Sequence, residues 1–215
     1  MSVKKAGQIY VIDDDDASRE GVTVLVRTLG LQVHDYDAAE AFLAAYDGHR
    51  PGCIIADMRM LGMSGNELLL ELRRRGLTIP VIILTAHADT PTTVLAMKNG
   101  AFTTLDKPCR NSELWNTVRA ALHDDGARSE ADQRRLEART RLDQLNQQER
   151  DVLKHLLVGD PHKTIANRLG IGLRTVEARR KTLVRKIKFE SMAELVKLVM
   201  LAEPDWLPPA SSRGS

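Results

Sequence analysis

The stretch CIIADMRMLGMSG, residues 53–65, decides the fold of the first half of the chain. Its first four residues are apolar and follow Pro51-Gly52, a pattern typical of a strand in a parallel sheet covered on both faces. Asp57 then stands at the carboxyl end of that strand. Because ligands of open α/β sheets bind outside the carboxyl ends of the strands, Asp57 is placed for a chemical role, although a lone aspartate at a strand end is more often a loop or helix-cap acid.

A second acidic site follows the apolar run at residues 8–12, where residues 13–16 are all aspartate. A solvated turn and a helix N-cap explain the last two of them. They do not explain Asp13 and Asp14, which follow the strand directly, since a desolvated carboxylate is costly unless it is paired or bound to a metal. If the two strands are neighbours, Asp13, Asp14 and Asp57 converge into an oxygen-rich cluster. Such hard ligands suit Mg²⁺.

Two further apolar runs end in residues that suit a phosphoryl group. Residues 80–84 lead to Thr85, and residues 101–105 lead to Lys107. A hydroxyl and an ammonium therefore join the carboxylates at one edge of the predicted sheet. We predict that Lys107 pairs with the acids and clamps a phosphate.

Residues 8–122 resemble the receiver domain of two-component response regulators, with these acids, Thr85 and Lys107 in the family's order and spacing. The resemblance implies a five-stranded, doubly wound parallel sheet of the flavodoxin-like order 2-1-3-4-5. It implies that Asp57 accepts a phosphoryl group from a sensor histidine kinase. Lys107 would contact the phosphoryl oxygens, and Thr85 would swing toward them.

The same resemblance assigns the metal and the water path. Asp14, Asp57 and the backbone carbonyl of Arg59 would hold Mg²⁺, with help from Asp13. Arg59 and His87 would flank the path of a hydrolysing water. The chain is then a phosphoacceptor that promotes its own phosphotransfer and autodephosphorylation, and we do not predict an enzyme.

Two positions depart from the family pattern. Leu61 stands where proline is common before Gly62, which leaves the loop after Asp57 less rigid. Thr104 stands where Phe or Tyr is common three residues before Lys107, so the usual aromatic switch lacks its ring. These departures keep open a degenerate receiver that acts as a constitutive DNA-binding dimer without phosphorylation.

An enzyme of another class also matches part of the sequence. Asp13 and Asp15 satisfy the Asp-x-Asp core of aspartate-nucleophile phosphatases, in which Asp13 would be the nucleophile. That interpretation leaves Asp57, Lys107 and the basic second half of the chain unexplained.

The composition predicts a cytoplasmic protein. Of 215 residues, 43% are hydrophobic and 28% charged, as in a soluble globular protein. We find neither an apolar run of membrane-spanning length nor a signal peptide, so we predict no membrane partner. The two cysteines and six histidines have no metal-ligand spacing, so we assign no zinc site.

We divide the chain into four parts. Residues 1–122 form the receiver, and residues 123–145 a charged, helical linker interrupted near Gly126. Residues 146–203 form a second domain, and residues 204–215 a disordered tail. The first part holds 13 Lys and Arg against 15 Asp and Glu, whereas residues 146–215 hold 13 against 8. A basic second half predicts an anionic partner such as nucleic acid or a membrane surface, and the helix-turn-helix pattern described next favours nucleic acid.

The second domain carries a helix-turn-helix pattern. A short helix through residues 165–169 leads to Gly170, and Gly170 turns the chain into a helix over residues 174–188. That helix holds seven bases and the single acid Glu177. A solvated helix face is the ordinary explanation of a charge run, but seven bases behind such a turn favour contacts with phosphates.

This segment resembles the LuxR-type helix-turn-helix of FixJ-like and NarL-like regulators, an all-α domain of four helices. The matching residues include KTIA at 163–166, LGI at 169–171 and TVE at 175–177. By resemblance, Glu177, Ala178 and Lys181 face base edges of double-stranded DNA. The candidates for phosphate contacts are Lys163, Thr175, Arg179, Arg180 and Lys186.

The resemblance also implies a homodimer that forms on phosphorylation through the face from Thr92 to Leu105. Dimerisation would present two recognition helices to half-sites about 10 bp or a multiple apart. Because Thr104 lacks an aromatic ring, we expect weak coupling between phosphorylation and DNA binding.

Overall fold

A computed structural model describes residues 7–86 and 90–206. The chain forms two compact units that divide between Ser129 and Glu130. Two sequence-based expectations fall outside the described residues: the role of His87 and the disorder of the tail beyond Trp206. Among the described helices, none combines the length and the hydropathy that crossing a membrane requires.

Strands and helices alternate through the first unit. They are β1 (Gln8–Ile12), α1 (Asp16–Arg27), β2 (Gln32–Tyr36), α2 (Ala39–Ala45), β3 (Gly52–Asp57), α3 (Gly65–Arg74), β4 (Val81–Thr85), α4 (Thr90–Lys98) and β5 (Thr103–Asp106), followed by α5 (Asn111–Asp143). All strand pairs are parallel, in the order β2-β1-β3-β4-β5, which confirms the predicted topology.

The sheet is covered on both faces because successive side chains of a strand point to opposite sides. In β3, Ile54 packs in one core with Phe42 of α2. Its neighbour Ile55 packs in the other core with Val26 of α1 and Leu114 of α5. Both isoleucines are at most 1% exposed. This double burial explains why the inner strands read as continuous apolar runs.

Helix α5 differs from the prediction. It runs without interruption from Asn111 to Asp143, so the expected break near Gly126 is wrong. Asp125, the residue before that glycine, is completely buried. Its Oδ1 accepts hydrogen bonds from Nε and Nη2 of Arg50 at 3.0 and 2.8 Å, and its Oδ2 accepts one from the Gly52 amide at 2.9 Å. The helix is thus joined to the start of β3 by a buried ion pair.

The second unit is helical. After the end of α5 it contains α6 (Gln147–Val158), α7 (His162–Leu169), α8 (Leu173–Ile187), α9 (Met192–Ala202) and a 3₁₀ turn at Pro204–Trp206. Leu142 and Leu145 belong to its core together with Leu153, Leu183 and Leu195. The predicted limit at residue 146 therefore separates residues that pack together.

The tail assignment also requires a correction. Pro204–Trp206, which we placed in the disordered tail, forms a 3₁₀ turn. The Trp206 ring is partly buried against the helical core, and the cations of Arg150 and Lys154 lie 5.5 and 5.3 Å from its centroid. Cation–π attraction and apolar burial give this turn its place in the unit.

Candidate functional site

Lys107 joins the ends of three elements at the carboxyl edge of the sheet. Its Nζ donates hydrogen bonds to Asp57 Oδ1 at 2.5 Å, to Asp13 Oδ2 at 2.6 Å and to Ser18 Oγ at 2.9 Å. Burial alone would lower the pKa of Lys107, but the hydrogen bonds and charges of the two carboxylates outweigh that effect and raise it. The ammonium therefore stays charged at neutral pH.

Asp57 is the last residue of β3, as predicted, and its side chain is only 12% exposed. Its Oδ2 accepts a hydrogen bond from the Arg59 amide at 2.6 Å, while its Oδ1 faces Lys107. Directly beyond the loop, a Cβ at Gly65 would lie 2.6 Å from the Asp57 carbonyl oxygen, so only glycine allows this close approach. Asp57 is thus oriented from both sides.

Two carboxylates hold the loop that follows Asp57. Asp14 Oδ2 accepts a hydrogen bond from the Leu61 amide at 2.9 Å, and Glu40 Oε1 accepts one from the Met63 amide at 3.0 Å. We expected Leu61 to leave this loop less rigid than a proline would. The Leu61 amide instead supplies a backbone restraint that proline cannot make, because proline has no N–H.

The donors that could hold a cation are fewer than expected. In the described parts of the chain, no three His, Cys, Asp or Glu side chains are placed to hold a metal ion. Asp13 and Asp57 converge as predicted, since both accept from Lys107 Nζ, but Asp13 is taken up by that ammonium and by Ser18, so the three carboxylates do not form a metal-ligand set. Two carboxylates, Asp14 and Asp57, and the Arg59 carbonyl remain. This set fits Mg²⁺, which takes one or two carboxylates and keeps several waters.

Asp13 is the most occupied of the acids. It is 3% exposed, and its Oδ1 accepts a hydrogen bond from the Asp15 amide at 3.0 Å. Its Oδ2 accepts one from the Ser18 hydroxyl at 2.6 Å besides that from Lys107. Ser18 was not among the predicted site residues. Ser18 lies three residues beyond Asp15, the N-cap of α1. A hydroxyl in the first turn of a helix that begins beside an acidic run is the feature of the sequence that could have identified it.

The other two candidates of this edge lie on β4 and β5. Thr85, the last residue of β4, is 4% exposed, and its carbonyl accepts a hydrogen bond from the Lys107 amide at 2.7 Å. Thr104 pairs with Ile83 in the sheet. Backbone hydrogen bonding thus brings Thr85 to the same edge as Lys107.

In the second unit, α7 and α8 form the predicted helix-turn-helix. Gly170, with φ of 63°, ends α7, and Gly172 caps α8 without a side-chain hydrogen bond. Val176, Leu183 and Ile187 of α8 are buried. The opposite face is exposed and holds Glu177, Ala178, Arg180 and Lys181, with Thr175 at the start of the helix and Lys163 exposed on α7.

Two of the predicted phosphate contacts are engaged within the unit. Arg179 donates a hydrogen bond to Gln148 Oε1 at 2.6 Å. Lys186 Nζ donates to Glu149 Oε2 at 2.7 Å and to the Gln144 carbonyl at 3.1 Å. The structure therefore places Lys186 in an ion pair with a carboxylate that is 7% exposed, apart from the exposed bases of α8.

Comparison with known proteins finds a matching family for each of the two units. Residues 9–119 match the response regulator receiver domain, and residues 143–199 match the luxR family of bacterial regulatory proteins. The chain belongs to the LuxR-type response regulators. It therefore acts in phosphorylation-dependent regulation of transcription, and its two domains imply a histidine kinase and DNA as partners.

Full-length relatives support the same assignment. This response regulator is 43% identical over 194 residues to the transcriptional regulatory protein FixJ of Azorhizobium caulinodans, covering 90% of this chain and 92% of that protein. It is 38% identical to FixJ of Bradyrhizobium diazoefficiens over 91% of this chain and 96% of that protein. The solved structure of the response regulator StyR superposes with a TM-score of 0.85 at 36% identity, covering 90% of this chain and 98% of that one.

The ion pair of Lys186 gives a prediction about the stability of the second unit in this response regulator. Lys186→Ala should lower the free energy of unfolding of the second unit by about 2 kcal/mol, because it leaves the buried Glu149 carboxylate without its charged partner. Lys181→Ala, at an exposed position of the same helix, should leave that free energy unchanged. With Trp115 replaced by phenylalanine, denaturation followed by Trp206 fluorescence tests both variants. Equal stability in the two variants would contradict the structural role of Lys186.

The same pair sets a pH dependence. Burial alone would raise the pKa of Glu149, but the hydrogen bonds from Lys186 and from the Asn146 amide outweigh it and lower the pKa. The stabilisation is therefore present above the ordinary carboxyl pKa of 4.5 and is lost as the pH falls through the lowered value.

Proposed function

We propose that Asp57 is the phosphoacceptor of this response regulator and that a histidine kinase is its phosphoryl donor. The observation that supports this most directly is the Lys107 ammonium, which contacts Asp57 and Asp13 at 2.5 and 2.6 Å. A permanently charged group beside a strand-end carboxylate can neutralise the transferring phosphoryl group, whose charge is spread over its oxygens. The site would thus promote its own phosphorylation.

Asp14, Asp57 and the Arg59 carbonyl would hold Mg²⁺. When bound, Mg²⁺ supplies neutralising charge to the phosphoryl oxygens. The chain's own residues divide the remaining tasks. Asp13 keeps Lys107 in place, the Arg59 amide orients Asp57, and Thr85 lies at the neighbouring strand end, where it can meet the phosphoryl group.

We infer that the phosphorylated chain dimerises through the α4 and β5 face, from Thr92 to Leu105. Three apolar side chains of α4 support this interface, because Val94, Leu95 and Met97 are 45, 49 and 47% exposed. Clustered exposed apolar residues favour a protein contact.

The exposed face of α8 would then enter the major groove of double-stranded DNA, with Glu177, Ala178 and Lys181 toward the bases. Lys163, Thr175, Arg179 and Arg180 would contact phosphates, whereas the pairing of Lys186 with Glu149 favours a structural role for that lysine. Binding to chromosomal DNA would place the protein in the cytoplasm.

A double-stranded DNA site is first selected from a random pool by its binding to the protein. The test is then a titration of the protein with this DNA, with and without acetyl phosphate and Mg²⁺. We expect phosphorylation to tighten binding by about 1–2 kcal/mol, or roughly 5–30-fold, at the low end of allosteric coupling because Thr104 lacks a ring. Sedimentation of the protein alone should show a monomer become a dimer. Equal affinity and mass in both states would instead support a constitutive DNA-binding dimer.

A further inference from the structure

Ser18 lies between the acid and the base of the proposed phosphoacceptor site. Its backbone amide donates a hydrogen bond to Asp15 Oδ1 at 2.7 Å, which fixes Ser18 in the first turn of α1. Its hydroxyl donates to Asp13 Oδ2 at 2.6 Å and accepts from Lys107 Nζ at 2.9 Å. Both hydrogen-bonding roles of the hydroxyl are therefore directed at charged groups of the site.

The Lys107 ammonium has three N–H donors and three acceptors around it, on Asp57, Asp13 and Ser18. A phosphoryl group on Asp57 would draw the N–H that now faces Asp57 toward a phosphoryl oxygen. The other two acceptors belong to residues that do not react, so they can keep the ammonium in place during the transfer. Ser18 and Asp13 are also hydrogen-bonded to each other, which restricts both acceptors.

We propose that Ser18 is a positioning residue for phosphoryl transfer, acting through Lys107. This inference rests on the proposed function, in which Asp57 accepts the phosphoryl group. In that step a bond forms between an Asp57 oxygen and phosphorus, and the bond from phosphorus to the donor's leaving group breaks. With acetyl phosphate, acetate leaves with the electron pair. No proton leaves Ser18, whose hydroxyl remains hydrogen-bonded to Asp13.

The hydroxyl can be tested apart from the packing of its side chain. In the full-length chain with Mg²⁺, Ser18→Ala should slow phosphorylation by acetyl phosphate about five-fold, because the Lys107 ammonium loses one acceptor but keeps Asp13. Ser18→Thr keeps a hydroxyl and should stay within about two-fold of the unmodified protein. Asp16→Ala, in the same helical turn, changes an exposed residue that contacts Arg19 and should leave the rate unchanged.

A binding measurement separates positioning from general damage. Beryllium trifluoride imitates a phosphoryl group on a carboxylate, and its binding can be followed by fluorine NMR without turnover. We expect Ser18→Ala to weaken this binding about five-fold and Ser18→Thr to restore it, while both variants retain the thermal midpoint of the first unit.

Four results decide the question. The inference would be overturned if Ser18→Ala were phosphorylated at the wild-type rate and bound beryllium trifluoride as tightly as wild type. It would also be overturned if Ser18→Thr were as impaired as Ser18→Ala. A wild-type chain that takes no label, or an Asp57→Asn variant that takes as much label as wild type, would overturn the proposed function itself. Normal labelling of the wild type beside an inert Asp57→Asn variant therefore assigns any failure to Ser18 alone.

Discussion

Asp57→Asn is expected to reduce phosphorylation of the chain to background. An amide cannot form the acyl phosphate, and the neighbouring Asp13 is 3% exposed and accepts hydrogen bonds from both Lys107 and Ser18, so it is not expected to replace Asp57 as the acceptor. Asp14→Ala should have nearly the same effect, because it removes one of two carboxylates available to Mg²⁺. Chelation of divalent cations should do so as well.

The measurement is incorporation of label from a radioactive acyl phosphate, followed by borohydride reduction of the phosphorylated protein. Reduction converts the acyl phosphate to an alcohol, and peptide mass spectrometry then identifies the modified residue. Asp16→Ala is the matched control, since it removes an acid of the same run whose side chain is 92% exposed and pairs with Arg19, not with Lys107. Modification at Asp13 would favour the phosphatase interpretation, and undiminished labelling of Asp57→Asn would exclude the proposed site.

Asp125→Ala should lower the free energy of unfolding of the first unit by about 3–5 kcal/mol. It removes the carboxylate that pairs with the Arg50 guanidinium, which is 19% exposed, and the acceptor of the buried Gly52 amide. The free energy of unfolding of a typical domain is about 5–15 kcal/mol, so this loss would unfold a measurable fraction of the molecules.

Chemical denaturation can resolve the affected unit, because the chain contains two tryptophans, Trp115 and Trp206, one in each unit. With Trp206 replaced by phenylalanine, Trp115 reports the first unit alone. Asp124→Ala is the matched control, since its ion pair with Arg128 is partly exposed, 38 and 53%, and should contribute at most about 1 kcal/mol. Equal midpoints for Asp125→Ala and Asp124→Ala would refute a special role for the buried pair.

The sequence was sufficient for the inner strands and for Asp57, because a strand buried on both faces must be apolar throughout. The edge strand β2, whose residues Gln32–Tyr36 are mostly exposed, has no such run, and no apolar signal marked it. The course of α5 was also missed. Gly126 suggested a break, but the adjacent Asp125 is held in the core by Arg50, and tertiary contacts outweigh the low helix propensity of one glycine.

The site residues that stand at strand ends could be predicted from the sequence. Those whose role depends on contacts between side chains of different elements could not. Asp57 and Lys107 follow from strand ends, which the apolar runs locate. The hydroxyl of Ser18 and the pairing of Lys186 depend on which charged groups come within 3 Å across elements, and spacing along a single chain does not encode that. For the same reason, a basic residue on α8 could not be assigned to DNA or to Glu149 from the sequence.

The hydrogen bond from the Leu61 amide to Asp14 has a consequence for how this position tolerates variation. The Leu61 side chain is 82% exposed, so the protein uses its backbone and not its identity. Nineteen of the twenty amino acids carry the required N–H, and proline alone does not. In a full substitution series at residue 61, the stability of the loop should therefore be nearly the same for every replacement except proline, which is the residue common there in the family that the receiver resembles. What is a consensus residue in the family would, in this chain, be the one disfavoured replacement.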